Sequence, residues 1–157
     1  MSRLEVYNAR THAFRTADRF AVLDLQDYYK SKSLPGGKDV FARLRVYGLT
    51  QALTDTARYL NNHEHIFYLA IPNSVVDFKE IADSDLPIRP VVDISRPPTA
   101  ELTGSRGWER QHIEEAIGAD CVGVLVNLEN SQLADEFGGE HPFFRISHAP
   151  HAQIPRS

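Results

Sequence analysis

The segments Arg19-Phe-Ala-Val-Leu-Asp-Leu-Gln26 and Ile66-Phe-Tyr-Leu-Ala-Ile-Pro72 decide the fold class of this chain. Both are short, almost continuous apolar runs, which is typical of strands that are covered on both faces. One carboxylate, Asp24, stands inside the first run, and a charged group in an apolar strand is costly to bury without a partner. The pattern predicts two buried strands, with Asp24 marking either a strand end or a functional site.

The segment between these strands carries the clearest helical periodicity in the chain. Apolar residues recur at three- and four-residue steps over residues 39–61, where Asp39 can cap the start and Asn61-Asn62 can end the helix. The sequence therefore predicts one long helix over residues 39–61. Residues 26–39 are polar and contain the turn Leu34-Pro-Gly-Gly37, so we expect a loop there.

The remaining segments alternate between strand and helix patterns. Strands are predicted over residues 4–7, 91–94, 121–128 and 143–147, with 12–16 as a short strand or hairpin arm, and helices over 75–83, 108–117 and 132–137. This alternation predicts an α/β fold with a mixed central β-sheet flanked by helices. We expect a single domain over residues 1–150 and a flexible tail over 151–157.

Composition limits the classes of function. The chain has 157 residues, 42% hydrophobic and 24% charged, which suits one domain with a hydrophobic core. The formal net charge is -4, so any binding of nucleic acid requires a local basic patch. The single cysteine, Cys121, allows no internal disulfide and is interpreted as a small core residue. The apolar runs are far shorter than the roughly 20 residues that span a bilayer, so we expect no membrane association and a cytoplasmic location.

The order of these motifs resembles the restriction-endonuclease-like nuclease fold. Phe20-Ala-Val-Leu-Asp24-Leu-Gln26 stands where that family has a strand with an acid-x-Lys motif, and Tyr68-Leu-Ala-Ile-Pro72 matches the strand that follows. Gln51 lies in the intervening helix, as a polar residue does in the family. The chain departs from the family because Gln26 occupies the lysine position and the family's earlier acidic residue has no clear counterpart. Glu5 is a candidate for it, whereas Asp18 stands too near Asp24 in sequence.

The resemblance implies a metal-dependent nuclease, or a nuclease relative, that acts on DNA. Asp24 and Glu5 would hold Mg²⁺, which prefers carboxylate and water oxygens. Gln26 would hydrogen-bond the attacking water, and Lys30 is the nearest cation that could replace the lysine. The alternative is a catalytically inactive binding or assembly module that contacts another protein, nucleic acid or a second copy of itself.

A local basic cluster supports the expectation of nucleic-acid contact. Its cations could contact phosphates while Tyr28 and Tyr29 stack on bases, although such clusters are also common on ordinary solvated surfaces. With Gln51, the predicted nucleic-acid-binding residues are Lys32, Lys38, Arg43 and Arg45, and Lys30 belongs to the same cluster.

Three further patterns give only weak indications of a functional site. Asp77-Phe-Lys79 repeats the acid-x-Lys spacing but stands at the predicted start of a helix, where an acidic residue is typical. His63-Glu-His65 places two imidazoles on one side of a strand without a third ligand nearby. A two-histidine phosphoesterase requires His-x-Ser/Thr elements, and neither His65 nor His141 is followed by the hydroxyl residue.

Overall fold

The computed structural model describes residues 2–24, 38–44, 49–60, 65–72, 75–95 and 107–148. Within these ranges the chain forms eight strands and four helices. The strands are β1 (Ser2–Asn8), β2 (Ala13–Thr16), β3 (Phe20–Asp24), β4 (Asp39–Arg43), β5 (Phe67–Ile71), β6 (Arg89–Asp93), β7 (Gly123–Val126) and β8 (Phe143–His148). The helices are α1 (Leu49–Leu60), α2 (Val75–Asp83), α3 (Trp108–Gly118) and α4 (Leu133–Phe137).

All eight strands belong to one mixed sheet, in the order β2-β1-β8-β7-β6-β5-β4-β3. Strands β3 to β8 lie side by side in sequence order and run parallel. Strand β1 pairs antiparallel with both β8 and β2. The described helices connect successive parallel strands from β4 onwards. The α/β class and the mixed sheet flanked by helices are therefore confirmed.

The sheet is strongly curled. Phe41 on β4 and Phe144 on β8 are four places apart in the strand order, which would be about 19 Å in a flat sheet. Their rings are nevertheless 5.1 Å apart, centre to centre. The curl brings β1 against β3, because only residues 17–19 separate β3 from β2, which is paired with β1.

The curl divides the hydrophobic core into two layers. The concave layer is built only from strand residues and their immediate neighbours, with Phe20, Phe41, Tyr68 and Phe144 as its large aromatic members. The convex layer contains the opposite face of the strands together with the buried faces of all four described helices. Alternate residues of each strand thus enter different layers, as the pleat requires.

The prediction of a single helix over residues 39–61 is wrong in its first part. Residues Asp39–Arg43 form β4, and the helix occupies only Leu49–Leu60. Val40 and Ala42 pack in the convex layer while Phe41 packs in the concave layer, so the strand is apolar on both faces. A strand that is covered on both faces has no alternation of polar and apolar residues. The apolar run of β4 is therefore compatible with the helical period of the residues that follow it.

Asp39 is also not a helix cap. Its carboxylate accepts a hydrogen bond from the Ile66 backbone N–H at 3.0 Å and lies 3.4 Å from Arg19 Nε, which fixes the start of β4 beside β5.

The other predicted elements lie close to their observed positions. Helix α2 has the predicted bounds, α3 extends one residue further to Gly118, and the strand expected over 121–128 is shortened to Gly123–Val126. Most of the loop predicted over 26–39 and the whole tail over 151–157 lie outside the described residues. Among the helices described, none has the length and apolar character needed to cross a membrane.

Candidate functional site

The carboxyl-terminal ends of the parallel strands meet at one edge of the sheet. Asp24, Arg43 and Asp93 are the last residues of β3, β4 and β6, and the pleat places all three on the concave side, above the aromatic layer. In parallel α/β sheets this edge is where ligands characteristically bind, because the loops and the helix amino termini converge there.

Arg43 is the centre of a polar network at this edge. Its Nη2 lies 3.5 Å from Asp93 Oδ2 and donates a hydrogen bond to Ser95 Oγ at 3.0 Å. Asp93 Oδ1 accepts from the Ser95 backbone N–H at 2.9 Å and from the Ser95 hydroxyl at 2.5 Å. The side chains of Arg43 and Asp93 are 12% and 3% exposed, so the network is largely withdrawn from solvent.

One donor of the guanidinium remains unused. Arg43 Nε is buried, and within the described part of the chain no group accepts its hydrogen bond. A buried donor without an acceptor costs about 1–3 kcal/mol, which an acceptor oxygen from a ligand would offset. The site therefore offers a fixed cation with free hydrogen-bonding capacity.

The loops beside Arg43 are held by a pair of asparagines. Asn127 and Asn130 exchange hydrogen bonds, with each backbone N–H donating to the other side-chain oxygen at 2.8 Å. Their side-chain amides then donate to the backbone oxygens of Ser95 and Ile94, at 2.7 and 2.9 Å. The segment after β7 is thereby tied to the segment after β6, which makes this part of the edge rigid.

A cavity of about 370 Å³ opens beside this network. Its volume falls within the range of roughly 300–1,000 Å³ that is usual for small-molecule sites. The lining includes both polar and apolar residues. We call this space the mouth cavity. Its lining residues are Arg43, Ser95, Leu125, Val126, Asn127, Leu128, Glu129 and Ile146.

The two carboxylates predicted to hold Mg²⁺ are not brought together. Asp24 is half-buried on the concave side and lies in register with Arg43 on the neighbouring strand. Glu5 lies on the convex side of β1, where its Oε1 accepts a hydrogen bond from Arg145 Nε at 2.7 Å. Within the described ranges, no group of three or more His, Cys, Asp or Glu side chains is placed to hold a metal ion.

The two described members of the predicted basic cluster, Lys38 and Arg43, lie at opposite ends of β4. Lys38 is exposed at the amino-terminal edge of β4, roughly 17 Å along the strand from Arg43. Gln51 is exposed in the first turn of α1, which begins on the carboxyl-terminal side. Gln26, Lys30, Lys32 and Arg45 lie outside the described residues. Among the predicted nucleic-acid-binding residues that the structure describes, which are Lys38, Arg43 and Gln51, only Arg43 lines the mouth cavity.

The remaining sequence patterns have structural roles. Asp77 lies in the first turn of α2, as predicted, and burial followed by the nearby Glu80 raises the pKa of its carboxyl group. His65 Nδ1 lies 3.8 Å from Asp39 Oδ1, and His63 is outside the described residues. Cys121 is buried, and desolvation, followed by the charge of Asp120, raises the pKa of its thiol to about 11.

Sequence reasoning overlooked the residues that orient Arg43. Asp93, Ser95, Asn127 and Asn130 all stand at or just after the ends of two successive apolar strands. Because such positions converge at the carboxyl-terminal edge of a parallel sheet, the pattern Val91-Val-Asp-Ile-Ser95 followed by Asn127-Leu-Glu-Asn130 is the signal that could have identified them.

Comparison with known proteins adds no relative. No protein-family model matches the chain, and neither a curated protein nor a solved structure matches it. The resemblance to restriction-endonuclease-like proteins therefore remains a prediction.

Proposed function

We propose that the protein binds a small organic anion in the mouth cavity, with Arg43 as its anchor. The observation that carries this proposal is the unused, buried Nε donor of a guanidinium that Asp93 and Ser95 hold in one orientation. A carboxylate or phosphate oxygen fits this donor, because hydrogen bonds between a guanidinium and a charged acceptor are stronger than those to neutral acceptors.

The cavity is better suited to binding than to covalent catalysis. The Ser95 hydroxyl donates its proton to Asp93 and accepts a hydrogen bond from Arg43, so its one donor and one of its two acceptor positions are occupied. None of the cavity's described lining residues is a histidine or cysteine that could act as a base or nucleophile beside it. Asp93 therefore serves to position the cation.

Binding can be tested by calorimetric titration with phosphate and with acetate. Arg43→Lys keeps the charge but loses the fork of donors, and we expect it to weaken binding about tenfold. Arg89→Lys makes the same change in the exposed first residue of β6, at the opposite edge of the sheet, and should bind like the wild type. Equal affinities for Arg43→Lys and the wild type, or no anion binding by the wild type, would refute the proposal.

Metal-dependent cleavage of DNA is a second candidate. It is supported by the position of Asp24, which ends β3 beside Arg43 on the concave side of the sheet. In that reaction Asp24 would hold Mg²⁺ while Arg43 contacts the phosphate. A plasmid-nicking assay with and without Mg²⁺ tests it. Nicking that depends on Mg²⁺ and disappears in Asp24→Ala supports this candidate, whereas no nicking by the wild type excludes it.

A further inference from the structure

We infer that the anion bound in the mouth cavity carries an apolar chain and a single charged end. This inference rests on the proposed function, because it assumes that Arg43 holds the anionic group. It adds the chemical class of the ligand, which is an amphiphile with one anionic head group, such as an aliphatic carboxylate or an alkyl phosphate.

The distribution of groups around the cavity supports an amphiphilic ligand. The cationic anchor and the hydroxyl come from Arg43 on β4 and from Ser95, which follows β6. Leu125 of β7 and Ile146 of β8, whose side chains belong to the concave layer, line the other side of the cavity. A ligand with its charge at Arg43 would therefore lay the rest of its structure against an apolar wall.

Leu128 extends this wall to the surface. It is 76% exposed, and no other large hydrophobic residue in the described ranges is as open to solvent. A single exposed leucine is common on protein surfaces, but this one belongs to the lining of a cavity. An apolar chain that leaves the cavity would cover Leu128 and remove both surfaces from water.

Leu128 is also held in place before any ligand arrives. The reciprocal hydrogen bonds of Asn127 and Asn130 enclose it in a short turn, and its backbone oxygen accepts a further bond from the Ser131 hydroxyl at 3.2 Å. A fixed turn cannot fold this side chain back into the core. Its exposure is thus a standing property of the site, and the site is preorganised for an apolar group.

Glu129 limits the charge of the ligand. This exposed carboxylate lies next to Leu128 in the lining of the cavity, where a chain leaving the cavity would pass. A second anionic group at the far end of the chain would be repelled by Glu129 and would also displace the apolar contact with Leu128. We therefore expect monocarboxylates to bind more tightly than dicarboxylates of the same length.

The test is a calorimetric series with acetate, butyrate, hexanoate and octanoate, repeated with the corresponding alkyl phosphates. Affinity should rise roughly fourfold for each added methylene group that becomes buried. The series that binds more tightly at equal chain length identifies the head group. Suberate has the same number of carbon atoms as octanoate but two carboxylates, and it should bind at least about tenfold more weakly than octanoate. Glu129→Gln should reduce the ratio of these two affinities.

Two variants of Leu128 separate the apolar contact from the anion contact. Leu128→Ser should flatten the dependence of affinity on chain length, and Leu128→Met should preserve that dependence. An affinity that does not change with chain length, but is still weakened by Arg43→Lys, overturns this inference and leaves the proposed anion binding intact. Failure of every anion to bind the wild type overturns both.

Discussion

Arg43 at the end of β4 reaches across the whole of β5 to pair with Asp93 at the end of β6, with Nη2 and Oδ2 3.5 Å apart. The residue beside Arg43 on β5 is Ala70, which is fully buried and small enough to leave the path open. A buried ion pair adds little net stability, because desolvating two charges offsets most of their attraction. Its value here is that it fixes the direction of the guanidinium.

Removing the acidic partner should be strongly destabilising. Asp93→Asn leaves a buried guanidinium without its countercharge, and such changes cost about 3–5 kcal/mol of unfolding free energy. Urea denaturation measures the loss. Replacing Arg43 by Met in the same variant should restore part of it, because the unpaired charge is then gone.

Glu136→Gln provides the matched control for Asp93→Asn. Glu136 pairs with Arg110 at 2.6 Å, but both side chains are 49% exposed, and solvent screening leaves exposed pairs with little net effect on stability. If Asp93→Asn proves no more destabilising than Glu136→Gln, Asp93 does not position Arg43 in the way described.

A second prediction concerns the close packing where β7 begins. A Cβ atom on Gly123 would lie 2.7 Å from Phe144 Cε2 and 2.8 Å from the backbone oxygen of Pro142. The backbone oxygen cannot move without shifting β8, so Gly123→Ala should cost about 1–3 kcal/mol of unfolding free energy. Gly139→Ala meets no atom within 4 Å and should be neutral or slightly stabilising. Equal unfolding free energies for the two variants would contradict this account.

Much of the fold could be read from the sequence because its strands are short apolar runs. The segments at Phe67–Ile71 and Gly123–Val126 are recognisable without any partner, since a strand covered on both faces is apolar throughout. The absence of alternation also explains why the prediction of a helix at Asp39–Arg43 is wrong. This apolar strand precedes a true helix, and no residue pattern marks the boundary between the strand and the helix. Local periodicity cannot make that distinction.

The curl and the site could not be derived in the same way. The contact between Phe41 and Phe144 depends on the closeness of strands that are about a hundred residues apart in sequence, and no local pattern encodes it. Likewise, Arg43 was singled out for its charge, but its partners Asp93 and Ser95 lie about fifty residues later. Of the two interpretations of Asp24, a strand end is confirmed because β3 ends there, whereas the metal partner predicted for it, Glu5, faces the other side of the sheet.

A third prediction concerns the reactivity of Cys121. Its thiol is buried, and desolvation together with Asp120 raises its pKa to about 11, so the reactive thiolate is scarce at pH 8. Alkylation by iodoacetamide should be at least on the order of a hundredfold slower in the folded protein than in denaturant. Mass spectrometry at timed intervals measures both rates. Rapid, complete labelling of the folded protein would show that this thiol is accessible and reactive.

The β1–β2 hairpin is joined to α4 by a titratable cluster. The Tyr7 hydroxyl donates a short hydrogen bond to Asp135 Oδ1, and His12 Nδ1 lies 3.2 Å from the same oxygen. The bond from Tyr7, and then the bond from His12, hold the pKa of Asp135 below its usual value of 3.8. In return, the Asp135 carboxylate raises the pKa of Tyr7 above 10.0.

This cluster predicts a specific dependence of stability on pH. Because the pKa of Asp135 is lower in the folded than in the unfolded chain, its contribution is present above pH 3.8 and is lost as the pH falls through the folded value. The difference in unfolding free energy between the wild type and Asp135→Asn should therefore shrink on acidification from pH 5 to pH 3. Asp77 is the control with the opposite sign, because its pKa is raised in the folded chain and protonation on acidification therefore stabilises the wild type. Asp77→Asn lacks this gain, so its unfolding free energy should fall relative to that of the wild type between pH 5 and pH 3. Denaturation curves at the two pH values decide the matter, and parallel trends for the two variants would show that the hydrogen bond from Tyr7 does not stabilise the charged form of Asp135.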